Sequence, residues 1–88
     1  MEFNLVSGRF TAKESEELLT KLVKVKTDFH IAKIDTVNHS EEDIKHCEKR
    51  IRELEDHLRK TIAIIKNYKS VALHATLSIE FVPDYHNA

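Results

Sequence analysis

An α+β fold of order strand, helix, helix, strand is the class this sequence predicts, and three observations carry it. Ile44, Cys47, Ile51, Leu54, Leu58, Thr61 and Ile65 recur at the seven-residue spacing that lines one edge of a long helix. Directly after them Val71, Leu73, Ala75, Leu77, Ile79 and Phe81 alternate, which is the period of a strand with one face turned inward. One glycine and one proline in 88 residues leave the chain few places to break, so most residues belong to regular elements.

The elements follow in order. The segment 2–7 alternates weakly and reads as a short strand with Phe3 and Leu5 inward, ended by a turn or bulge at Gly8 and Arg9. Thr11 to Glu14 has the pattern of a capping box, in which a Thr hydroxyl and a Glu carboxylate each satisfy the other residue's amide. A helix over 12–35 is expected from there, with Leu18, Leu22, Val25, Phe29 and Ala32 as the seam against its neighbour. Thr36, Val37, Asn38 and His39 form the connector. Ser40 then serves as N-cap, and Glu41, Glu42 and Asp43 suit the positive end of the next helix dipole, which begins a helix over 41–67. Acid-before-base pairs at four-residue spacing, Glu41 with Lys45, Glu48 with Arg52 and Glu55 with Arg59, mark its solvated flank.

A strand over 71–82 has Leu73, Leu77, Ile79 and Phe81 on one face and His74, Thr76, Ser78 and Glu80 on the other. Pro83 stops it, and 83–88 is a frayed tail. The whole of 1–88 is expected to be a single domain. Two long helices joined by about four residues lie antiparallel and return the chain to its starting end, so the terminal strands pair antiparallel. The apolar face is wide near the strands, with Leu18, Leu19, Leu22 and Val23 facing Leu58, Ile62, Ile64 and Ile65. It narrows to Ile44, Cys47, Ile51 and Leu54 toward the far end, so the tip of this coiled-coil-like hairpin projects.

Self-association is expected on two grounds. The first helix carries Leu19, Val23, Ile31 and Ile34 away from its seam, more apolar surface than one neighbouring helix covers. A two-stranded sheet is also marginal alone and has open edges, which a second copy would extend to four strands. A homodimer is the expected state, with Leu19, Val23, Ile31 and Ile34 as its interface. At this length folding buries only roughly 60 to 65% of the unfolded chain's surface, so the gain from association is large in proportion.

The chemistry is less specific. His39, Glu42, Asp43, His46 and Cys47 supply ligand types near the start of the second helix, yet no HExxH or paired CxxC motif is present and the acids are explained by capping. Gly8 is the sole glycine, so no loop can cradle phosphate, and Ser7 and Ser15 lack a nucleophile's context. His74 and Glu80 share a strand face but stand roughly 20 Å apart along it, too far to act as one acid–base pair. His30 and His57 are dispersed on the helices. No metal, cofactor or catalytic residue is expected.

The formal net charge of −1 provides no global basic field. Lys21, Lys24, Lys26 and Lys33 make the first helix locally basic, as do Arg59, Lys60, Lys66 and Lys69 at the end of the second, but stacking aromatics are missing from both patches. Cys47 has no partner for an intramolecular disulfide, and no apolar run approaches the roughly 20 residues of a membrane span. The expected protein is cytoplasmic, away from membranes. It is a small self-associating protein–protein interaction or assembly module and not an enzyme. A nonspecific nucleic-acid binder using the lysines of the first helix is the alternative, and a small metal- or histidine-dependent enzyme with an interface site the third.

Overall fold

The computed structural model describes residues 1–36 and 41–83 and has the expected α+β order. Strand β1 spans Glu2–Thr11, helix α1 Ala12–Thr36, helix α2 Glu41–Ile65 and strand β2 Ser70–Ser78. The residues read as connector and N-cap, Val37 to Ser40, and the tail from Asp84 lie outside the described residues. The side chain of Ile34 does as well.

β1 and β2 pair antiparallel, with Phe3 opposite Leu77, Val6 opposite Ala75, Gly8 opposite Leu73 and Phe10 opposite Val71. Directly opposed residues share a face, so these eight lie on one side of the sheet. The other side carries Asn4, Ser7, His74 and Thr76, where the Thr76 hydroxyl donates to Asn4 Oδ1 at 3.1 Å and Ser7 Oγ lies 3.3 Å from His74 Nδ1.

β1 is longer than the expected strand over 2–7. It runs through Gly8 because glycine adopts there a φ of +155°, which side-chain-bearing residues rarely take. The register slips between Asn4 and Val6, so the bulge falls at Leu5, ahead of the glycine. β2, at Ser70–Ser78, begins one residue before and ends four residues short of the expected 71–82. Met1 and Ile79 exchange the last two backbone bonds, at 2.7 and 3.0 Å, and the chain beyond has no strand beside it.

The capping box forms as read. The Thr11 amide donates to Glu14 Oε1 at 2.9 Å, and the Glu14 amide donates to Thr11 Oγ1 at 3.1 Å. α2 opens with Glu41, Glu42 and Asp43 in its first turn and ends at Ile65, not 67. Its last carbonyls are taken up by a tightened turn, in which the amides of Asn67 and Tyr68 donate to the carbonyls of Ile64 and Ile65. The Ala12 amide then donates to the Lys69 carbonyl at 3.1 Å and ties the starts of α1 and β2 together.

The helices form an antiparallel hairpin. Thr20, early in α1, lines a groove with Leu58 and Ile62, late in α2, while His30, late in α1, feels the charges of Arg50 and His46, early in α2. The base of the hairpin packs on the near end of the sheet's apolar face, where Val6, Phe10, Val71, Leu73 and Ala75 are half-buried. Ile65 sits at this junction and, 5% exposed, is the one buried apolar side chain among the described residues. The outline measures 56 × 32 × 15 Å with a radius of gyration of 16.8 Å, against about 12 Å for a compact chain of this length. At 15 Å across its shortest axis the molecule is thin, and helices and sheet overlap only around the hairpin base.

Candidate interaction surface

α1 has two working faces, and the structure assigns them the opposite way to the heptad reading. The side toward α2 carries the buried Ser15 and Thr27, the half-buried Leu19 and Val23, and His30. At 100° per residue these fall within about a third of the helix circumference. Of the expected seam, Leu18 and Leu22 are half-buried beside the sheet, while Val25 is 69% and Phe29 59% exposed and Ala32 is open to solvent. Of the two buried polar side chains on the α2-facing side, Ser15 has its Oγ buried without a hydrogen-bond partner, and Thr27 is satisfied locally. Thr27 disposes of its hydroxyl by donating to the Lys24 carbonyl at 3.0 Å, so a threonine can occupy a helix contact that the apolar pattern assigned to valine and phenylalanine.

Of the residues expected to form an interface, Leu19 and Val23 therefore lie in the half-buried zone of their own chain, and Ile31 is 48% exposed. The surface left open on α1 is the stripe through Val25, Phe29 and Ala32, continued toward the sheet by Leu22 and Leu18. Lys26 lies over the Phe29 ring, 5.6 Å from its centre, and the His30 ring meets the same ring edge-on. A lysine stem covers apolar area without closing it off.

The far end of the sheet is open too. Phe3, Leu5, Leu77 and Ile79 all lie beyond the reach of the hairpin base and are exposed, as are Phe81 and Val82 past the last paired residue. Between the end of α2 and β2 an apolar hollow of about 340 Å³ is lined by Ile64, Ile65, Tyr68, Val71 and Leu73. It is open on the side of the exposed Ile64 and Tyr68.

α2 has one apolar stripe, as its heptads indicated. Ile44, Cys47, Ile51, Leu54, Leu58 and Ile62 are half-buried, and Thr61 points outward where a seam residue was expected. Charge covers the rest of it, with Arg50 donating to Glu53 at 3.3 Å and Arg59 to Asp56. Midway along the hairpin His46, Lys49, Arg50 and Glu53 line an open hollow of about 300 Å³. His30 of α1 lies close enough to feel Arg50 and His46, and its Nε2 is buried without a hydrogen-bond partner. Burial, and then the charges of Lys26, Arg50, Lys33 and His46, hold its pKa below the ordinary histidine value.

Among the described residues no three His, Cys, Asp or Glu side chains converge as they would around a metal ion. Ser7 and His74 touch at 3.3 Å on the exposed face of the sheet. Cys47 is a half-buried free thiol in the α2 stripe. None of the described helices is long and apolar enough to cross a membrane. No protein-family model, no curated protein and no solved structure matches this chain.

Proposed function

We propose that this protein works through contacts and not through chemistry, as a small self-associating assembly module whose fold is completed by another copy of itself. The observation that carries this reading is its surface. The chain exposes 7619 Å², where a compact monomer of 10.2 kDa exposes about 5,300 Å². The excess, 7619 less about 5,300, is about 2,300 Å². The large apolar side chains left exposed include Val25, Phe29 and Ile31 on α1 and Phe3, Leu5, Leu77 and Ile79 at the far end of the sheet. A single half-buried thiol suits a reducing, cytoplasmic setting. Light scattering at micromolar concentration tests the reading. A mass of twice the chain or more is expected, and a monomer mass across the accessible concentration range would sink it.

A second reading has one observation in its favour. Lys26, Lys49 and Arg50 lie on one stretch of the hairpin, with Glu53 paired to Arg50, and the basic excess there suits a phosphate backbone. Binding to generic DNA or RNA that weakens steeply with added salt would select it. A lack of binding at low salt would remove it.

A further inference from the structure

We infer that the outer edge of β1 pairs antiparallel with the same edge in a second copy of this chain, Glu2 opposite the partner's Arg9 and Asn4 opposite the partner's Ser7, so that two sheets become one of four strands. This inference rests on the self-association proposed above and deepens it by assigning the edge and its register.

The backbone determines which groups of β1 are free. Met1 and Ile79 exchange two backbone bonds, at 2.7 and 3.0 Å, so Met1 directs its nitrogen and carbonyl at β2, and Phe3, two residues on, does the same. From the other end the Ala12 amide donates to the Lys69 carbonyl at 3.1 Å, and Phe10, Gly8 and Val6 follow at every second residue. The residues between point their backbone groups the other way. Thr11 has its amide in the capping box, which leaves Glu2, Asn4, Ser7 and Arg9. All four are exposed, and among the described residues the sheet has no strand on that side. Such an edge of unpaired amides and carbonyls is a template for another strand.

The spacing of the free groups identifies the occupant. Because the bulge falls at Leu5, they stand two, three and two residues apart. A regular strand presents its groups at every second residue and falls out of step across the bulge. The series reads the same in both directions, so an antiparallel copy of β1 stays in step on either side, with the two bulges meeting at the two-fold axis. Opposed residues then share a face, as strand pairing requires. Glu2, Asn4, Ser7 and Arg9 all lie on the polar side of the sheet, and on the apolar side Phe3 falls opposite the partner's Gly8.

Charge selects the same register. Among the described residues neither Glu2 nor Arg9 has an ion-pair partner, and they stand roughly 20 Å apart along their own strand. Across the two-fold axis each meets its opposite, twice per dimer. The outer edge of β2 offers no such match, since Ala72, His74 and Thr76 supply no charge pair and a two-fold axis at the middle sets His74 against the partner's His74. Antiparallel pairing of β1 also brings the open far end of one sheet, with Phe3, beside the end on which the partner's hairpin base packs.

Charge reversal in the full chain, at low ionic strength, tests the register. Glu2→Arg and Arg9→Glu each set like charges opposite one another at both contacts, and each should weaken the dimer about tenfold or more in dissociation constant. The double variant Glu2→Arg with Arg9→Glu exchanges the pair and should return to within about threefold of the wild type. Too far apart to meet within one strand, the two positions rescue each other only across an interface, and the same rescue shows that neither substitution harms the fold. Hydrogen exchange on the wild-type dimer adds a readout free of mutation, with the amides of Asn4, Ser7 and Arg9 expected to be slow and those of Ala72, His74 and Thr76 fast. A wild-type monomer would overturn the self-association reading and this inference together. A wild-type dimer that the single reversals leave as tight, that the double variant does not restore, or whose protected edge is that of β2 would overturn this inference alone and leave the self-association standing.

Discussion

His30 joins burial, charge and the hairpin contact in one side chain. It lies on the α2-facing side of α1 with Nε2 unsatisfied, and burial together with Lys26, Arg50, Lys33 and His46 favours its neutral form. The folded pKa is thus lower than the unfolded one. Above the ordinary histidine value of about 6.5 both states hold the ring neutral, and its contribution to stability is complete. As the pH falls below that value the unfolded chain takes up the proton first, so stability declines until the folded pKa is passed. Urea midpoints should therefore drop between pH 7 and 5, and His30→Gln should flatten that part of the curve. An unchanged slope in the variant would show that the ring is not held neutral. Gly8 makes the complementary point about the backbone. Its φ of +155° is open to glycine at little cost, which is why a residue that reads as a strand terminator sits in the middle of one.

At the level of elements, the clearest local signal is the capping box. Thr11 and Glu14 exchange both expected bonds, so Thr11→Ala should cost about 1 kcal/mol in urea titrations. Loss of less than about 0.3 kcal/mol would mean that solvent satisfies the freed amide equally well. Local signals of this kind indicated the element order, and the α2 stripe followed from its heptads because most positions off the stripe, up to Lys60, carry charge. α1 was harder to orient. It is apolar over most of its circumference, so periodicity offers two stripes and does not say which one meets α2. The heptad Leu18, Leu22, Val25, Phe29, Ala32 is the more apolar of the two, and it lies on the open side. The contact with α2 includes Ser15, Thr27 and His30, which no apolar pattern would select. The bulge at Leu5 was hidden for a related reason. Gly8 is the residue that invites a break, yet the register slips three residues earlier, where only the alignment with β2 reveals it. The open surface on α1 was legible as an excess of apolar residues, but its location required the packed hairpin.

The whole molecule is a thin plate whose two elements of tertiary packing, helix on helix and hairpin base on sheet, together enclose one buried isoleucine among the described residues. A Leu or Ile side chain gives its full 1.5 to 3 kcal/mol only when it is withdrawn from water, and here Leu18, Leu22, Leu54 and Leu58 are withdrawn partway. Ordering 25-residue helices meanwhile costs conformational entropy of about 1 to 2 kcal/mol per residue whether or not the burial is complete. The chain alone has paid most of the ordering cost and collected part of the burial. Stability should then depend on association, with folded dimer in equilibrium with unfolded chains and little folded monomer between them. For such a scheme each tenfold rise in protein concentration adds about 1.4 kcal/mol per mole of dimer. Urea or thermal midpoints should rise steadily across concentrations from about 1 to 100 µM. Midpoints independent of concentration in the wild-type protein would mean that the single plate is stable as it stands, and its open stripe would then be surface that the fold tolerates without using.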